Sequence, residues 1–116
     1  MILSIIDPDG LLSEQQRRLA ERRFLFALSR YDSRINEAEI SFTQTTPSQG
    51  NAEIDCNVTI TVRNASNVIL SQRASEVGQC ITRAAQRASR AVDRSIDKAF
   101  YLHRNRSVAM NAGAFT

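Results

Sequence analysis

Apolar and polar residues alternate in two different periods along the chain, and the change of period marks its elements. Residues 2–6 (Ile-Leu-Ser-Ile-Ile) form a short apolar run ended by Asp7-Pro8-Asp9-Gly10, which predicts a strand followed by a turn. Ser13-Glu14 supplies an N-cap and an acidic first turn. Ala20, Phe24, Ala27, Leu28 and Tyr31 then recur at helical spacing, so a helix is expected to run to about Tyr31, with Asp32-Ser33-Arg34 as its exit.

From Glu37 the period is two. Ala38, Ile40 and Phe42 alternate with Glu39, Ser41 and Thr43, and Pro47–Asn51 is a turn cluster. Ala52, Ile54, Cys56, Val58, Ile60 and Val62 alternate with Glu53, Asp55, Asn57, Thr59 and Thr61, giving a strand with one apolar and one wholly polar face. One side of this sheet should therefore face water. Asn64-Ala65-Ser66-Asn67 reads as a hairpin connection, and Val68 to Ala74 as the returning strand.

Ser75 is expected to cap a long last helix. Val77, Ile81, Ala84, Ala85, Ala88, Val92, Ile96 and Ala99 form its apolar stripe, with Cys80 at the margin. The predicted order is β-α-β-β-β-α. The fold class is α+β, a four-stranded sheet with both helices on one face, like a double-stranded-RNA-binding domain. Residues 1–104 should form a single domain. The aperiodic stretch 105–116 is expected to be a disordered tail.

Composition narrows the chemistry. At 116 residues there is room for one core and little room for a deep enzyme cleft. Cys56 and Cys80 form no CxxC pair, and His103 is the single histidine, so no metal site and no cofactor is expected. Both cysteines fall on or beside apolar faces, where a thiol is a poor nucleophile. They read as free core thiols, which suits a reducing cytoplasm. His103, near an expected helix end, reads as a capping or exposed residue and not as a base. Catalysis and a small-molecule substrate are therefore not expected. The N-terminus has no basic segment before its short apolar run, so it does not read as a signal peptide, and no apolar stretch is long enough for a membrane span.

The net charge of +3 is modest, but its placement is uneven. Fourteen of the fifteen basic residues are arginine. Arginine suits phosphate and base recognition through its planar, bidentate, stacking guanidinium, although a codon bias toward arginine would give the same count. Arg83, Arg87, Arg90, Arg94 and Lys98 follow spacings of four, three, four and four. At 100° per residue they fall within roughly an 80° arc of the last helix. Like charges at this spacing repel, at ~0.2–0.5 kcal/mol per pair. The stripe is either a solvated face trimmed by Asp93 and Asp97 or a ridge that binds a polyanion.

The first helix adds Arg17, Arg18, Arg22, Arg23 and Arg30, followed by Arg34. Arg23, Arg30 and Arg34 are expected to share one side and to extend the stripe. The polar sheet face instead carries Glu39, Glu53 and Asp55, which repel RNA. Among RNA-binding folds, an RRM places aromatics on its central strands where these strands show Thr and acids, and a KH domain needs a GXXG loop, which is absent. A double-stranded-RNA-binding domain shares the αβββα order. It usually opens its last helix with clustered lysines, where this chain has Ser75-Glu76-Val77-Gly78.

The segment Ala27-Leu28-Ser29-Arg30-Tyr31-Asp32-Ser33-Arg34-Ile35, the acidic start Ser75-Glu76 before Cys80-Ile81, and the placement of Arg87, Arg90 and Arg94 resemble the ribosome hibernation-promoting factor or protein Y family. The resemblance spans roughly residues 2–98. It departs at Gly78, near which the family carries an aromatic residue, and at Phe24 and Ala27, where the family carries lysines. The resemblance implies a cytoplasmic, ribosome-associated translation inhibitor. Its partners would be the small ribosomal subunit and ribosomal RNA near the decoding region, from which it excludes mRNA and tRNA. It further implies a short form, lacking the C-terminal domain through which long members pair ribosomes. The alternatives are a non-ribosomal RNA-binding module or a protein-interaction module of the same fold, for example a dimer formed through an exposed strand edge.

Overall fold

The computed structural model describes residues 1–45 and 52–114, with side chains up to Leu102. The elements follow the predicted order: β1 (Ile2–Ile6), α1 (Glu14–Leu28), a 3-10 turn (Ser29–Tyr31), β2 (Ile35–Thr45), β3 (Glu53–Val62), β4 (Val68–Ala74) and α2 (Val77–Ala114). The sheet order is β1-β2-β3-β4. β1 runs parallel to β2, and the other two pairings are antiparallel. The turn cluster Pro47–Asn51 lies outside the described residues, as does the side chain of His103.

Local chemistry sets the boundaries. Asp7 accepts hydrogen bonds from the backbone N–H groups of Leu11 and Leu12, both at 2.8 Å. Gly10 sits at φ +65°, where a Cβ would be strained. The chain thereby turns sharply out of β1. Ser13 and Gln16 form a reciprocal capping box: Gln16 N–H donates to Ser13 Oγ at 3.1 Å, and Ser13 N–H to Gln16 Oε1 at 2.8 Å. At its other end α1 tightens into the 3-10 turn and stops.

A bulge at the start of β2 places one extra residue between the pairs Ile35–Val62 and Glu37–Thr61. Ile35 and Ala38 can therefore both point inward although they are three residues apart. In the β3–β4 connection Asn64 adopts φ 55°, and Asn67 Oδ1 accepts from Val62 N–H at 3.2 Å.

The inward residues of the sheet and the apolar stripes of both helices form one cluster, so both helices cover one face. The larger side chains come from the sheet and α1: Phe42, Ile40, Ile60 and Val58 with Phe24 and Leu28. Facing them, α2 contributes Ala84, Ala85 and Ala88 beside Ile81 and Val92. The alanines let α2 lie close to the sheet. Cys56 and Cys80 are both buried and free, as expected of core thiols.

Two boundaries differ from expectation. The first α-helical bond of α2 runs from Cys80 N–H to the Glu76 carbonyl, so Glu76 occupies the cap position and Ser75 lies one residue outside it. At the other end, α2 continues as helix to Ala114, past position 104, where the sequence loses its period.

Candidate nucleic-acid interface

The two helices lie side by side on the sheet, and six of the eight expected site cations line three places, while Arg83 and Lys98 are exposed on α2 outside all three. The first is the groove between α1 and α2. Arg23 and Phe26 of α1 with Arg30 of the 3-10 turn form one wall, Gln86, Ser89 and Arg90 of α2 the other, and Ala27 and Ala85 lie between. The second is a groove between α2 and the edge strand β4, lined by Arg87, Arg90 and Arg94 with Ile69 and Leu70. Arg90 lines both grooves and links them, with the Asp93 carboxylate among the arginines of the second.

The third place corrects the expectation for Arg34. Its Nε and Nη2 donate to the Arg63 carbonyl at 3.3 and 3.1 Å. It lines a separate recess with Arg63, Asn64, Ala99 and Phe100. The reason is local: α1 ends at Leu28, the 3-10 turn breaks the helical phase, and Arg34 is drawn to the β3–β4 connection instead of the Arg23–Arg30 groove.

The cations are not equally available. Arg17 donates to the Ile5 carbonyl at 2.9 Å, and Arg18 pairs with Glu14 at 2.7 Å. Arg87 Nη1 donates to the Ser71 carbonyl at 2.7 Å and to Gln72 Oε1 at 2.9 Å. The guanidinium of Arg30 lies over the Tyr31 ring, 4.9 Å from its centroid. Among the described residues Arg23, Arg83, Arg90, Arg94 and Lys98 make no side-chain hydrogen bond or ion pair, and neither do Asp93 and Asp97 pair with a cation. Asp93 instead accepts from the Tyr31 hydroxyl at 2.9 Å, which ties the end of α1 to α2. Burial and this carboxylate both raise the Tyr31 phenol above its ordinary range.

The opposite face of the sheet is acidic. Glu37, Glu39, Glu53 and Asp55 project from β2 and β3. Arg73 on β4 reaches across to Asp55, with contacts of 2.9 and 3.3 Å, and lies 3.7 Å from Glu53. A polyanion is thus favoured on one face and opposed on the other.

Among the described residues no group of three or more potential ligands converges, and no helix is long and apolar enough to cross a membrane. The Cys80 thiol lies 3.2 Å from the Gln72 carbonyl and 3.5 Å from that of Ile54. Its hydrogen-bond contact with Cys56, together with burial, pushes the Cys56 thiol well up. Such a thiol is unreactive at neutral pH.

Phe26 is the feature that the sequence pattern did not single out. It is 85% exposed on α1, beside Arg23 in the inter-helix groove. The available signal was its phase: two residues from Phe24, it falls on the opposite, arginine-rich side of the helix.

These observations define an α+β domain with a cationic helical face and an acidic open sheet. No family model matches the chain, and neither does any curated protein sequence. Among solved structures the fold is similar to the Protein Y N-terminal domain of Thermus thermophilus, with TM-score 0.64 and 15% identity over 81% of this chain and 98% of that one. It is also similar to a ribosomal subunit interface protein from Coxiella burnetii, with TM-score 0.63 and 11% identity over 81% of this chain and 96% of that one. The chain has the protein Y N-terminal domain fold.

Proposed function

We propose that the chain is a cytoplasmic, ribosome-associated translation inhibitor of the protein Y type, which binds the small subunit near the decoding region through its helical face. The observation that carries this reading is Arg90. It links the α1–α2 groove and the α2–β4 groove, on a fold shared with a ribosomal subunit interface protein. A folded RNA surface is a polyanion with grooves of fixed shape, and a row of guanidinium groups releases its counterions. Phosphate contacts position a protein without reading sequence, which suits recognition of one RNA shape. The acidic sheet would face away from the RNA. Bound there, the domain would occupy space needed by mRNA and tRNA and so hold idle ribosomes inactive. Arg83, Arg90, Arg94 and Lys98 on α2, Arg23 on α1 and Arg30 in the 3-10 turn are the proposed contacts, with Arg87 and Arg34 in support. The test is co-sedimentation with purified small subunits over a salt series, with and without mRNA. Binding that weakens steeply with salt and competes with mRNA supports the reading. Binding that is absent at low salt rejects it.

A further inference from the structure

The inter-helix groove holds more than charge. Phe26 stands on its α1 wall with nearly its whole side chain in water. A single exposed apolar residue needs no explanation in itself. Here the surroundings are specific. Arg22 and Arg23 lie within about one turn of it on α1, Arg30 follows in the 3-10 turn, and Arg90 lines the same groove from α2. The groove between the helices encloses about 370 Å³, with Ala27 and Ala85 leaving space and Thr82, Gln86 and Ser89 supplying hydrogen-bonding groups. A flat π surface, flanking guanidinium groups and an amide on the opposite wall are the three components that hold an unstacked nucleobase: a stacking face, phosphate contacts on either side, and an edge reader.

We infer that Phe26 is a base-stacking residue, and that the groove takes a single unpaired nucleotide of the bound RNA between Phe26 and Gln86. The inference rests on the RNA-binding reading of the helical face. A base inside a duplex offers no free face to Phe26, so the occupant is a looped-out or single-stranded nucleotide. The charge around Phe26 favours this occupant over an apolar protein segment, because seating such a segment would desolvate Arg23, Arg30 and Arg90 without supplying anions to pair with them. Phe26 adds to the phosphate contacts a preference for sites where a base is already exposed.

The test uses the full chain and purified small subunits. Phe26→Leu keeps an apolar side chain without a π face, and Phe26→Trp keeps and enlarges the π face. Phe26→Leu should weaken binding by about 5- to 100-fold. Phe26→Trp should bind within about threefold of the parent. Ultraviolet cross-linking of the parent complex should leave a nucleotide on the peptide that contains Phe26. Because Phe26 is exposed, circular dichroism of both variants should match the parent.

If Phe26→Leu binds like the parent while Arg23→Gln with Arg90→Gln weakens binding, the stacking inference fails and the RNA reading stands. If none of these variants weakens binding, both fail. If Phe26→Leu weakens binding but residue 26 cross-links only to a ribosomal protein, the groove is a protein contact and the inference is overturned.

Discussion

Arg87, at the centre of the arginine stripe, is bound to the edge strand of its own domain through the Ser71 carbonyl at 2.7 Å. A second bond from the same nitrogen, to Gln72 Oε1 at 2.9 Å, holds the guanidinium along β4. An edge strand presents unpaired carbonyls that invite a further strand, and Arg87 occupies one of them. The residue is therefore part anchor and part cation. Arg90 and Arg94, without such bonds among the described residues, can turn to a phosphate without giving anything up.

This difference predicts a split between stability and binding. Arg87→Gln should lower stability by about 0.5–1.5 kcal/mol, the usual net value of a hydrogen bond, and weaken ribosome binding less than Arg94→Gln does. Arg94→Gln should leave stability within about 0.5 kcal/mol of the parent. Urea denaturation and co-sedimentation of the two single variants measure both quantities. Equal binding losses with equal stability would remove the anchor role.

Most of the fold was legible because its segments are strongly periodic. β3 alternates over ten residues with no exception, and its inward residues Cys56, Val58 and Ile60 are all buried. The Ser13–Gln16 cap was half visible in the serine that opens α1. What was not legible depends on contacts between elements. The bulge that turns both Ile35 and Ala38 inward is a property of the β2–β3 pairing. The diversion of Arg34 to the Arg63 carbonyl follows from a helix that ends at Leu28, three residues before Tyr31. The anchoring of Arg87 depends on where β4 comes to lie. Spacing along a helix shows that Arg87, Arg90 and Arg94 share a side. It cannot show which of them meets a carbonyl there.

Tyr31 offers a test of how the helices are held together. Its hydroxyl donates to Asp93 across the helix pair, and burial and that carboxylate raise its pKa above 10.0. A phenol whose folded pKa exceeds its unfolded one keeps its proton in the native state after the unfolded chain has begun to lose it. The native state then binds more protons, so stability falls as pH rises. The contribution is complete below the unfolded phenol range and is lost as pH climbs through the folded value. Tyr31→Phe should cost about 1 kcal/mol at neutral pH and flatten the loss of stability above pH 10.0. Urea midpoints of parent and variant across that range decide it. Parallel curves would mean that the Tyr31–Asp93 bond does not persist in solution.

The two thiols report on the seam between α2 and the sheet. Cys56 and Cys80 are fully buried, and the Cys80 thiol reaches the Gln72 and Ile54 carbonyls. Cys56, raised by the neighbouring thiol and by burial, carries little thiolate at neutral pH, while Cys80, lowered by its hydrogen bond with Cys56, is shielded from reagent by its burial. Both cysteines should react with a thiol reagent only as fast as the domain opens, and both rates should rise together with denaturant. Fast labelling of one cysteine in the native protein would show that the start of α2 lifts from β3 and β4 while the rest stays folded.

The salt dependence of binding decides whether the stripe is an interface or a solvated face. If four phosphates are neutralised on the helical face, log K should fall against log salt with a slope of roughly −3 to −4. Arg83, Arg90 and Arg94 are arginines of the α2 stripe without an intramolecular partner among the described residues, so they are a clean set to remove. Changing all three to Gln keeps good helix formers in place and leaves the Arg87 anchor intact, so thermal unfolding should be little altered. The slope should flatten by about 2 to 3, and affinity at low salt should fall by orders of magnitude. Glu39→Gln, on the opposite face of the domain, should leave the slope unchanged if RNA binds the helical face as proposed. A triple variant that binds small subunits as tightly as the parent at every salt concentration would make the stripe a solvated surface. A loss of binding that is independent of salt would point instead to a packed protein–protein contact, with RNA in no direct role.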